Sequence, residues 1–278
     1  MPVDAASPPR AAWTGPRRAE GAPAAGLPTF GFVALHTQPL ADGPAAEGRW
    51  LQDVAARGRA AAHLWQGQPA LVLPRSYLQA PGWAEAVAAS ARAGWPVQLR
   101  ASGGGLVPQG PGVLDLSLMW PAESARPVDT EAVYQGLCAE LAAAFARLGL
   151  VTTAQAVEGS FCDGRYNLAV DGAKLVGTAQ SWRRVAGVPT VLAHAVLLVD
   201  ADPVALTARC NALEAALGRP ARYRPEAITS VAQAWQRAHP GAALPADFAA
   251  GVAQVLAEQF ARVLPPGGRT GPTAPVAS

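Results

Sequence analysis

Net charge is what this sequence has least of. Lys+Arg 22 against Asp+Glu 20 leaves +2, and charged residues are only 15% of the 278 positions. So balanced a chain makes no electrostatic case for a nucleic-acid partner. Cysteine is scarce as well. Cys138, Cys162 and Cys210 have no metal-ligand spacing and cannot all pair, which points to a reducing compartment rather than a disulfide scaffold. Half of the chain is hydrophobic, yet no apolar run approaches the roughly 20 residues that span a bilayer. Arg17-Arg18 is a twin-arginine pair with no apolar region after it, so export is not expected. These absences predict a soluble, cytoplasmic protein with no membrane partner.

Alanine, proline and glycine are abundant. Residues 1–28 are Pro/Ala-rich without apolar periodicity and read as a disordered tail, as do residues 265–278. The span 29–264 is long enough for a single domain with an ample core. Within it, Phe30–Leu35 reads as a strand, Trp50–Leu64 as a helix, Ala70–Leu73 as a strand and Trp83–Ala93 as a helix. Apolar residues recur at helical spacing over Pro127–Leu148 (Val133, Leu137, Leu141, Phe145). Val191–Asp200 reads as a buried strand interrupted by His194, Pro203–Leu217 as a helix and Phe248–Leu264 as a last helix.

Two stretches carry chemistry. Tyr166–Val170 and Ala173–Ala179 are apolar, and Asp171-Gly172 between them suits a two-residue hairpin turn. That turn pairs Val170 with Ala173, Ala169 with Lys174, Leu168 with Leu175 and Asn167 with Val176. Lys174 then shares a face with Asn167 and Thr178, close to Gly177, while Leu168 and Leu175 point into a core. A lysine so flanked suits a recessed anion or carbonyl site. The plain alternative is a solvated edge lysine. The second stretch runs from Val97 to Val107, where a strand enters Ser102-Gly103-Gly104-Gly105. Three glycines weaken a sheet but let a ligand approach the backbone, whose N–H groups can bind an anion or a carbonyl oxygen, with Arg100 as a charged clamp. A flexible loop is the other reading of the same glycines.

Taken together, Arg100-Ala101-Ser102-Gly103-Gly104-Gly105-Leu106-Val107 and Asn167-Leu168-Ala169-Val170-Asp171-Gly172-Ala173-Lys174-Leu175-Val176-Gly177-Thr178-Ala179 resemble, in order, the glycine and lysine motifs of the lipoate–protein ligase and octanoyltransferase superfamily. His63-Leu64-Trp65, the His194 strand and Ile228-Thr229-Ser230-Val231 resemble three further segments. The resemblance covers most of Phe30–Val231. It implies an α+β fold, a mixed, mostly antiparallel β-sheet flanked by helices, shared with biotin ligases. It also implies a substrate site built from Arg100, Ser102, Gly103, Gly104, Gly105, Asn167, Gly177, Thr178 and His194, with Lys174 catalytic. Two departures stand out. Leu99 replaces a first arginine, and Gln109-Gly110 replaces a His-Asp pair.

The resemblance implies acyl transfer onto a lysine of an acceptor lipoyl domain, by one of two routes. A ligase activates lipoate or octanoate with ATP and Mg2+ as an acyl adenylate, Lys174 neutralising the developing charge. A transferase takes octanoyl from a carrier protein and needs neither ATP nor metal. Cys162 stands before the hairpin, where some octanoyltransferases carry their nucleophile, and Lys174 or Arg165 could activate it. In a regular ladder Cys162 would face away from Lys174, unless Asp163-Gly164 breaks the strand. Motif similarity places the ligase first. The missing accessory domain after Val231 and the altered residues after the glycines lean towards the transferase. A third expectation is a non-catalytic protein that binds an acyl chain or a lipoyl domain.

Overall fold

The computed structural model describes residues 27–30, 33–122, 129–220 and 222–261. Apart from Leu27 and Pro28, the expected tails lie outside these residues, as do residues 127–128 and 262–264 of the expected helices.

A seven-stranded sheet runs in the order β1 (Val33–Leu35), β2 (Ala61–Trp65), β6 (Val113–Pro121), β10 (Val188–Leu198), β9 (Ala173–Val185), β8 (Asn167–Val170), β7 (Thr153–Gln155). Only β1 and β2 are parallel. A second sheet orders β4 (Val97–Arg100), β3 (Ala70–Pro74) and β5 (Val107–Gln109), with β3 parallel to β4 and antiparallel to β5. Six helices accompany the strands: α1 (Gly43–Arg57), α2 (Trp83–Arg92), α3 (Thr130–Ala146), α4 (Pro203–Ala216), α5 (Val231–Ala238) and α6 (Phe248–Ala261). This is the expected mixed, mostly antiparallel sheet flanked by helices.

One helix differs from its sequence reading. The chain turns helical at Gly43, where Asp42 accepts the Ala45 N–H as N-cap and Pro44 starts the first turn. Gly58, left-handed at φ 64°, ends it, so His63-Leu64-Trp65 is strand and not helix. Helical α5 was not foreseen; Ser230 and Gln233 form a reciprocal capping box at its start.

Side-chain alternation divides the large sheet between two cores. Leu116 and Leu118 of β6 and Ala193 and Ala195 of β10 face α3 and α6, whose Leu137, Phe145, Leu256 and Phe260 are buried against them. Their neighbours in sequence face α1, α4 and the small sheet. On that second face the registers align Gly177 (β9), Val196 (β10), Asp115 (β6) and Trp65 (β2) in one row across four strands. The next row holds Ala179, His194, Ser117 and His63. These two rows form the floor of the site.

Candidate active site

The Asp171-Gly172 turn has both residues at positive φ, 51° and 80°, as a two-residue hairpin requires. Val170 pairs with Ala173 and Ala169 with Lys174, as the turn predicts. A β-bulge then intervenes, and Leu168 pairs with Val176 rather than Leu175. The extra residue on β9 changes what shares a face with Lys174. Val176 and Thr178, paired with Leu197 and Ala195, follow the α3 side, and Gly177, paired with Val196, comes over to the lysine. Thr178 still borders the cavity, but its hydroxyl donates to the Tyr166 carbonyl at 2.7 Å.

Lys174 is buried at 5% exposure. Its Nζ donates to the Phe161 carbonyl and, at 3.3 Å, to that of Cys162. A Cβ on Gly177 would lie 2.9 Å from the amine, so this glycine makes room for it. Burial lowers the Lys174 pKa to about 8, against the opposing pull of Cys162 and Asp163. The amine therefore gives up its proton more readily than an ordinary lysine.

Cys162 lies in a turn before β8, at φ 47°, so strand alternation does not govern it. Asp163 ties that turn by accepting the Val157 N–H at 2.7 Å. The thiol meets the glycine loop: Gly105 N–H donates to Cys162 Sγ at 3.1 Å, and a Cβ on Gly104 would come within 2.5 Å of the sulfur. Gly104, at φ 103°, is needed both for its backbone conformation and for its missing side chain. Gly103 and Gly104 are exposed. Cys138 and Cys210 are buried in the two cores, and burial pushes their thiols up, Cys138 to about 11.

Arg100 is buried beneath the loop. Its guanidinium donates to the carbonyls of Val72 (2.9 Å), Gly103 (3.0 Å) and Gly105 (2.5 Å). Those bonds shape the glycine turn and engage the donors that a clamp on a bound anion would need. Ser102 and His194 belong to a chain that reaches α1. Ser102 Oγ lies 3.3 Å from His194 Nε2, and His194 Nδ1 lies 3.0 Å from Glu47 Oε1. Glu47 also accepts from Ser117 Oγ at 2.7 Å, which accepts from Trp65 Nε1 at 2.9 Å. Burial works to raise the Glu47 carboxyl; His194, Ser117 and Arg100 outweigh it and leave it below the ordinary value. Asn167 is buried on the Lys174 face, its Nδ2 without a hydrogen-bond partner.

Several of these groups line one apolar cavity between the large sheet and β3–β5. Lys174, Cys162 and Phe161 stand at one end, Trp65, Asp115 and Gln109 at the other, with Val196 between them. Cys162 also borders a second cleft with Gly104, Ser160 and Tyr223, so it lines both spaces. Of the residues named from the sequence, Lys174, Cys162, Arg100, Gly177, Thr178 and His194 line this cavity, while Ser102 meets it through His194 and Gly105 through Cys162. The sequence reading missed Glu47, Trp65, Asp115 and Ser117. An aspartate and a serine alternating with leucines in β6, both polar on a buried face, were the signal that could have found two of them.

Residues 45–243 match the family model of the lipoyl protein ligase A/B catalytic domain. The chain belongs to that family. It is an enzyme of the lipoate ligase and lipoyl or octanoyl transferase kind. An uncharacterised protein of Cupriavidus necator is 46% identical over 218 residues, 74% of this chain and 86% of that one. An octanoyl-GcvH:protein N-octanoyltransferase of Kyrpidia tusciae is 38% identical over 156 residues, 54% of each chain. A lipoyl-GcvH:protein N-lipoyltransferase of Listeria monocytogenes is 33% identical over 109 residues, 39% of this chain and 37% of that one. The chain thus spans about half or less of the named transferases it matches. A lipoate-protein ligase A bound with ATP superposes with TM-score 0.57 at 16% identity, covering 84% of this chain and 85% of that one. A T. acidophilum protein with bound lipoic acid gives TM-score 0.57 and 16% identity over 84% and 86%. At that identity the likeness is one of fold. Among the described residues no helix is long and apolar enough to cross a membrane.

Proposed function

We propose that this member of the lipoyl protein ligase A/B family is a protein-to-protein acyltransferase. It takes an octanoyl or lipoyl group from an acylated GcvH-type carrier, holds it as a thioester on Cys162, and delivers it to a lysine of a lipoyl-domain protein. One observation carries this reading: Cys162, its sulfur held at the glycine loop by Gly105 N–H, lines the same apolar cavity as the buried Lys174. The names of the curated relatives support it.

The chemistry follows from those two groups. Neutral Lys174 takes the Cys162 proton, and the thiolate attacks the donor's acyl carbonyl, whose oxygen gains charge beside the exposed glycine loop. The C–N bond to the donor lysine breaks as the Lys174 ammonium returns the proton to the leaving amine. In the second half the acceptor amine attacks the thioester carbon, the C–S bond breaks, and Lys174 carries the amine's surplus proton to the leaving sulfur. A base that titrates near 8 can do both. The apolar walls keep water from the thioester.

ATP-dependent ligation is the second reading, favoured by the Arg-Ala-Ser-Gly-Gly-Gly-Leu-Val loop. The residues present do not fit an adenylate site well. Arg100, the expected phosphate clamp, is engaged with three carbonyls, and Gln109 turns inward to Asp115.

The deciding experiment mixes the enzyme with octanoyl-GcvH and an acceptor lipoyl domain, and separately with octanoate, ATP, Mg2+ and the acceptor. Intact mass should show one octanoyl group on Cys162 and then on the acceptor in the first mixture alone. Acyl transfer only in the second mixture would sink the thioester route.

A further inference from the structure

Cys162 sits in a backbone conformation that a side chain disfavours. Among the described residues, the non-glycine residues with positive φ are Cys162 (47°), Asp171 (51°) and Ala186 (48°). Asp171-Gly172 and Ala186-Gly187 are the two-residue turns joining β8 to β9 and β9 to β10, and such turns demand it. No hairpin asks it of Cys162, which precedes β8 in an irregular segment. A residue with a Cβ stays in the left-handed region only where its surroundings hold it there.

Three sets of bonds do so. Lys174 Nζ donates to the carbonyls of Phe161 and Cys162. Gly105 N–H donates to Cys162 Sγ at 3.1 Å. The third closes the segment on itself: Val157 N–H donates to Asp163 Oδ1 at 2.7 Å, and the Val157 carbonyl accepts from Ser160 N–H at 3.1 Å. Val157 is buried and so a firm anchor, while Asp163 is exposed. The first two sets involve groups that react, and they change when the amine gains a proton or the sulfur an acyl group. The Asp163 bond is touched by neither event.

Resting on the acyl-transfer reading, we propose that Asp163 is a positioning residue of the reaction: its bond to Val157 N–H holds Cys162 with its thiol at the glycine loop, and its negative charge helps to keep a proton on the Lys174 amine. The elements packed around that amine bring Asn167 from β8, Gly177 from β9 and the segment Ile228-Thr229, none of them ionisable. Cys162 and Asp163 are the groups whose charge favours the ammonium, against the burial that lowers its pKa. The two roles come apart chemically. An amide at position 163 can still accept from Val157 N–H but carries no charge; a methyl group does neither.

The test follows Cys162 acylation by octanoyl-GcvH across pH, by rapid quench and intact mass, in the unchanged protein, Asp163→Ala and Asp163→Asn. Asp163→Ala should acylate roughly tenfold more slowly even at high pH, the weight of one hydrogen bond, with its urea midpoint little moved. Asp163→Asn should recover most of the plateau rate, and its rising limb should lie at lower pH than that of the unchanged protein, because the amine sheds its proton more easily. A full plateau rate in Asp163→Ala overturns the positioning role, and a limb left in place in Asp163→Asn overturns the electrostatic one. Amide hydrogen exchange at Gly105 reads the positioning without any acyl group. It should be roughly tenfold faster in Asp163→Ala, approaching its rate in Cys162→Ala, and unchanged in Asp163→Asn. If exchange responds in this way but no acyl group is ever found on Cys162, the positioning stands and the thioester reading fails. If Cys162 is acylated and Asp163→Ala alters neither rate nor exchange, only the positioning fails.

Discussion

Gly177 is the space in which the Lys174 amine sits: a methyl group there would lie 2.9 Å from Nζ and 3.0 Å from Cε. The bulge beside Leu168 brings the two residues to one face. Because the obstructed atoms end a flexible side chain, Gly177→Ala should be tolerated by the fold and not by the reaction. Acyl transfer should fall at least tenfold while the urea midpoint moves little; a variant with full activity would show that the amine has no fixed place in the chemistry.

Lys174 gives the enzyme its expected pH dependence. Its amine holds a proton less firmly than the ordinary 10.5, at about 8, because of burial. Cys162 acylation, measured by rapid quench and mass, should therefore rise with pH and level off above about 8 as the neutral amine accumulates. Lys174→Met should lose that limb and at least about a hundredfold in rate. Stability carries the same signature. Between about 8 and 10.5 the unfolded chain binds the proton that the folded chain has lost, so stability rises with pH across that window. The rise should be absent from Lys174→Met.

Much of this site was legible in the residues, for identifiable reasons. A hairpin turn needs positive φ, so Asp171-Gly172 fixed the start of the register, and three glycines after a strand marked a close approach. The bulge was not legible. Nothing local in Asn-Leu-Ala-Val or Ala-Lys-Leu-Val distinguishes one extra residue from none, and the choice is made by the pairing of β9 with β10 beyond it. That single slip decides that Gly177, and not Thr178, stands beside the lysine. The position of Cys162 was left open between a regular ladder and a break at Asp163-Gly164, since the turn there is held by a side-chain bond from Asp163 to Val157 that no strand periodicity announces. Glu47 was missed because α1 begins at an Asp42-Gly43-Pro44 cap well before the apolar residues that suggested a helix. Arg100 was read as a ligand clamp from its place before the three glycines; its three carbonyl partners show that it braces the loop.

His194 and Glu47 form a nearly buried pair, with side chains 13% and 8% exposed. His194→Ala would leave the Glu47 carboxylate with Ser117 as its one remaining hydrogen-bond donor, and losing a hydrogen bond to a buried charge costs about 2 kcal/mol. His194→Gln can still donate to Glu47 and should recover most of that loss. Urea unfolding of the two variants checks this. If both lose the same stability, shape and not the hydrogen bond is what matters at this position.

The three thiols differ enough to be told apart by a reagent. Cys138 and Cys210 lie in the cores with their thiols pushed up by burial, Cys138 to about 11. Cys162 is half-buried and borders both the acyl cavity and the second cleft. Thiolate character and access together govern alkylation. Iodoacetamide on the folded protein should therefore add one carbamidomethyl group, mapped by peptide mass to Cys162, and prior loading with octanoyl-GcvH should block it. Cys162→Ala should take up none under the same conditions and form no acyl adduct. Labelling of Cys138 or Cys210 at a comparable rate would mean that the cores open readily, and an acyl adduct persisting in Cys162→Ala would assign the nucleophile elsewhere.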